Sequence, residues 1–97
     1  MNQNAPMAVG REQRMAELSS RIESEFGRNL APRVVEVLTL AEFAWHDCFG
    51  EPSPPGDVID DIFVAAEGDL QKLIQAALLA VVDFRDLRLW ADDNRGR

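Results

Sequence analysis

Ala76-Ala77-Leu78-Leu79-Ala80-Val81-Val82 is the run on which the reading of this chain turns. It lies inside a segment, residues 70–91, whose flanks follow the three-and-four spacing of an amphipathic helix. Leu73, Ala77, Ala80, Phe84, Leu87 and Ala91 form one stripe in alternating steps of four and three. Such a seam belongs to a helix packed nearly parallel or antiparallel to a neighbour, and its alanines permit close approach. Leu70, Ile74, Leu78 and Val81 make a second stripe beside it, continued by Arg85 and Arg88. An unbroken apolar run leaves the helix no polar face at its centre, so that centre needs cover all round. The cover must come from the rest of the chain, from a second copy or from another protein.

Working back from this helix, Gly68 reads as a C-terminal cap and Asp69 as the N-cap of the fourth helix. They separate it from a third, in which Val58, Ile59, Ile62, Phe63 and Ala66 give a buried side. One interior glycine costs a helix only about 1 kcal/mol, so a single bent helix through Gly68 is the alternative. Asp57 reads as the N-cap of the third helix, and Asp60 and Asp61 add negative charge near its positive end. Before it, Glu51-Pro52-Ser53-Pro54-Pro55-Gly56 excludes regular structure and reads as a stiff external loop.

A second helix opens at Pro32, where the missing N–H costs nothing, and closes at Gly50. Its apolar face comprises Val34, Val37, Leu38, Ala41, Ala44, Trp45 and Cys48. The first helix starts at Arg11 and carries Met15, Leu18, Ile22 and Phe26 on one side, with Gly27 and Asn29 weakening its end. No stretch alternates polar and apolar residues for long, so no strand is expected. The expectation is an all-α fold: a small bundle of four helices over 11–92, a flexible lead-in over 1–10 and a frayed tail over 93–97.

A chain of 97 residues fits one domain, and its formal charge of −7 repels nucleic acid and anionic membranes. That charge also suits a basic protein partner. The single cysteine, Cys48, excludes an intrachain disulfide. The apolar run is far shorter than the roughly 20 residues that span a bilayer, and residues 1–10 lack the apolar core of a secretory signal. The cytoplasm is the expected location.

Two positions break the amphipathic rule. Phe43 falls among Glu36, Thr39, Glu42, His46 and Asp47, and Leu79 falls among Lys72, Gln75, Asp83 and Asp86, with Val82 and Trp90 nearby. Scattered surface apolar residues are ordinary. The apolar run favours an interface at Phe43, Leu79, Val82 and Trp90, most simply in a symmetric homodimer.

Other chemistry is weaker. Arg85 and Arg88 prolong a stripe read as inward, which is consistent either with stems covering the core edge or with a cationic pocket for a small anion. His46 and Cys48, two apart on a helix, point in different directions, and Glu42 with His46 lacks the Glu-x-x-His spacing of di-metal bundles. Cys48 reads as buried and inert, and no metal or cofactor is implied. The Asp57, Asp60 and Asp61 cluster is an ordinary dipole complement, though it would also suit a cation or a basic surface. A helix-turn-helix through Gly68 would offer only Lys72 as a cation. No serine stands in a glycine-rich elbow.

The leading expectation is therefore a non-enzymatic interaction or assembly module that self-associates through the fourth helix. The alternatives are an anion-binding or catalytic bundle using Arg85 and Arg88, and an acidic inhibitor of a basic protein. Itself or another protein is the expected partner, with neither nucleic acid nor membrane.

Overall fold

Four helices follow one another in the computed structural model, which describes the backbone of residues 5–97 and the side chains of residues 10–97. They are α1 (Ala5–Phe26), α2 (Ala31–Phe49), α3 (Gly56–Ala66) and α4 (Leu70–Arg95), and no strand occurs among the described residues. The all-α, four-helix expectation holds, with the third and fourth helices separate. Helix α1 takes in residues 5–10, which the sequence reading assigns to a lead-in; residues 1–4 lie outside the described residues.

The punctuation marks explain most boundaries. Pro32 sits in the first turn of α2, and Gly50 closes that helix at φ 76°, its N–H donating to the His46 carbonyl. Asp69 caps α4 by accepting from the backbone N–H groups of Gln71 and Lys72, at 2.8 and 3.4 Å. Such a cap is worth about 1 kcal/mol. Two details differ from expectation. Helix α3 begins at Gly56, behind Pro55, so Asp57 lies in its first turn rather than capping it. The C-cap of α3 is Glu67, left-handed at φ 51°, and Gly68 comes next at φ 74°.

The larger departure lies in α4, which is not one straight helix. Asp83 is extended at φ −159° and ψ 91°, and its carboxylate accepts from the N–H groups of Arg85 and Asp86 at 3.0 and 3.3 Å. It therefore N-caps a second segment, residues 84–95. That segment doubles back. Lys72 and Arg97 both reach Glu67, at 3.2 and 3.1 Å, whereas a straight 26-residue helix would hold its ends about 39 Å apart. It then runs in step with α3: Arg88 meets Asp57 and Asp61, Asn94 donates to the Val64 carbonyl, and Arg95 meets Asp60 and Asp61. These bonds order residues that composition marks as a frayed tail.

The core draws on every helix, with Ile22, Leu38, Ile62, Phe63, Leu73 and Leu87 fully enclosed. Phe26 meets Phe63 edge to face at 6.2 Å, joining α1 to α3. Pro54 is buried, and Glu51 accepts from the Trp45 indole N–H at 2.9 Å, so the proline-rich segment is partly a lid on the core rather than a purely external loop. The apolar face of α2 ends at Trp45: Cys48 is exposed, contrary to its expected burial. Glu42, expected on the polar side, is buried and clamped by Arg14 through two hydrogen bonds, with Arg11 3.4 Å away.

Asp60 of α3 accepts from Arg21 of α1 and Arg95 of α4, both at 2.8 Å. Burial alone would raise its pKa, but the hydrogen bonds and charges of the two arginines outweigh it and hold the carboxyl below its ordinary value. The ionised form is thus favoured by folding, and its contribution disappears as pH falls through the folded pKa, below about 4. Wild type should exceed Asp60→Asn in urea midpoint at neutral pH, and the gap should close in acid. A gap independent of pH would place the effect elsewhere.

Candidate functional site

Where α2 runs beside the first segment of α4, the surface between them is apolar. Trp45 and Phe49, at the end of α2, meet Phe84 at 6.0 and 6.3 Å between ring centroids, so the end of α2 lies beside the middle of α4. Upstream of that contact a groove of about 390 Å³ runs between the helices. Val37, Leu40, Ala41, Ala44, Ile74, Ala77, Leu78 and Val81 line it, and none carries a charge. Leu40 is 68 % exposed and Leu78 65 %. Leu78 also borders a hollow of about 250 Å³ between the two segments of α4, shared with Gln75, Leu79, Val82 and Trp90.

The sequence-derived interface residues are thus partly assembled. Leu79, Val82 and Trp90 come together in the hollow, where Val82 is 71 % exposed while Leu79 and Trp90 pack partly against the core. Phe43 lines neither the groove nor the hollow. It is half exposed, with the Arg11 guanidinium 4.5 Å above its ring, a cation–π contact across α1 and α2. Leu40, Ile74 and Leu78 are among the exposed residues that sequence reasoning misses as a surface, as are Leu89 and Phe84, the latter expected in the packed seam. Ile74 and Leu78 belong to the second stripe, read as inward, because the period of a helix shows two adjacent stripes without showing which one meets a neighbour.

Arg85 and Arg88 line a third depression, of about 780 Å³, with Trp45, Phe49, Phe84 and Leu89. Their setting differs from that of a free cationic pair. Arg88 donates to Asp61 at 2.5 Å and to Asp57 at 3.0 Å, and these bonds raise its pKa. Arg85 stands in solvent, 3.6 Å from Asp83. Glu51 and Asp57 share the same walls, so acidic and basic side chains balance there. Ile74 and Leu78 of the stripe that suggests an inward pair are themselves exposed, and the break at Asp83 separates them from Arg85 and Arg88.

The acidic cluster of α3 is likewise engaged: Asp57, Asp60 and Asp61 pair with Arg88, Arg21 and Arg95. Among the described residues no three His, Cys, Asp or Glu side chains converge in a way that could hold a metal ion. No described helix is long and apolar enough to cross a membrane. The fold and its surface define a small all-helical protein with an uncharged apolar face. Comparison with protein-family models, curated proteins and solved structures finds no match.

Proposed function

We propose that this chain is a non-enzymatic helical assembly module that pairs with a second copy of itself through the face of α2 and α4. The observation that carries the reading is the uncharged groove, with Leu40, Ile74 and Leu78 each half or more exposed along it. A small domain hides a limited share of its surface, and further burial is the most direct stabilisation open to it. A second copy fits better than a basic partner because the groove offers no carboxylate to attract one. Two chains of charge −7 can meet there without opposing like charges at the contact. A two-fold interface needs a patch that complements itself, and an uncharged aliphatic surface meets that condition.

Molar mass by light scattering over a concentration series tests this. Wild type should approach twice the chain mass as concentration rises, and Leu78→Glu should stay at the monomer mass with its helical circular dichroism intact. A wild type that remains monomeric throughout overturns the reading.

A further inference from the structure

The break in α4 points to how the second copy is engaged. Resting on the self-association reading, we infer that the dimer forms by exchange: α4 straightens at Asp83, and its second segment packs on α3 of the other copy. A single extended residue joins the two segments. Among the described residues its carboxylate engages only the start of the second segment, accepting from the N–H groups of Arg85 and Asp86 as a cap, with the Arg85 guanidinium 3.6 Å away. Straightening gives up that cap and restores helical bonding across the joint. The seam of Leu73, Ala77, Ala80, Phe84, Leu87 and Ala91 stays in phase through the break, as a continuous helix requires.

The exposed residues point the same way. Leu78, Val82 and Leu89 are 65, 71 and 68 % exposed on the two sides of the turn. With Arg85 they recur at steps of four, three and four, so in a straight helix they fall on one line, on the side opposite the seam. Paired antiparallel with its copy, that line is covered, with Val82 near the two-fold axis. The side-chain hydrogen bonds that attach the second segment to the rest of the chain run to α3 and the Glu67 that ends it, from Arg88, Asn94, Arg95 and Arg97. All can form unchanged on the α3 of a partner. Exchange of an identical element through a short hinge is a low-cost route to a dimer.

Insertion of Gly-Ser-Gly between Asp83 and Phe84 gives the second segment slack to close on its own chain. Light scattering should then read a monomer with undiminished helicity. Asp83→Leu removes the cap and favours the straight helix, so its dimer should dissociate at about tenfold lower concentration than wild type. A dimer that survives the insertion overturns exchange and leaves association through closed copies standing. An Asp83→Leu dimer no tighter than wild type overturns it too, including where the insertion prevents folding. A monomeric wild type overturns exchange and self-association together.

Discussion

Gly68→Ala should be the most damaging single methyl group that can be added to this protein, lowering stability by about 3 kcal/mol or more. Two effects coincide at this position. Gly68 has φ 74°, a left-handed conformation that costs any residue with a side chain about 1–2 kcal/mol. A Cβ there would also stand 2.4 Å from the Glu25 carbonyl oxygen of α1. That neighbour is backbone near the end of a helix anchored by buried Ile22 and Phe26, so it has no rotamer through which to yield. The turn between α3 and α4 and the end of α1 would have to separate. A domain of this size holds about 5–15 kcal/mol in all, so the loss should be plain as a lower urea midpoint.

Gly27→Ala supplies the control. Gly27 is equally left-handed, at φ 85°, but nothing lies within 4 Å of the position its Cβ would take. Its substitution should cost only about 1 kcal/mol, the conformational part alone. The difference between the two variants isolates the close approach of Gly68 to α1. Equal losses would show that the approach carries no weight.

Local chemistry makes the helix ends readable. Pro32, Gly50 and Asp69 act on backbone groups one to four residues away, and each does what its residue type implies. Asp83 does the same as Asp69, accepting from the N–H groups two and three residues on, yet it is not legible as a cap. The hydrophobic period passes through Asp83 in phase, and no glycine or proline marks the reversal. The competition is settled between elements: bonds from Arg88, Asn94 and Arg95 to α3 reward the folded-back segment, and those partners are 27 to 35 residues away in sequence. The burial of Glu42 is hidden for the same reason. A glutamate among His46, Asp47 and Thr39 looks solvated until Arg14 of α1 arrives across the helix pair. The apolar face is legible as composition, in the run from Ala76 to Val82, but not as geometry. Which of its residues face outward depends on where α2 lies and where α4 breaks.

Removing both arginines from Asp61 should cost about 3–5 kcal/mol, because the carboxylate is 1 % exposed and would be left charged without a partner. Arg88 donates to one of its oxygens at 2.5 Å and Arg95 to the other at 2.7 Å. Either arginine alone still neutralises the carboxylate, so Arg88→Ala and Arg95→Ala should each lose less than half of what the double variant loses. That excess over additivity is the signature of a shared buried partner, and urea denaturation of the four chains in a double-mutant cycle measures it. Asp61→Asn in the double-variant background removes the stranded charge and should recover part of the loss, leaving the smaller penalty of an unpaired amide. Strictly additive losses would mean that the arginines act through their exposed contacts with Asp57, Asp60 and Asp92 instead. The cycle also bears on assembly. Asp61 meets the same arginines in the closed monomer and in a dimer built by exchange. The double variant should therefore lower the stability of both alike, leave their ratio nearly unchanged, and speed their interconversion by loosening the segment that must be released.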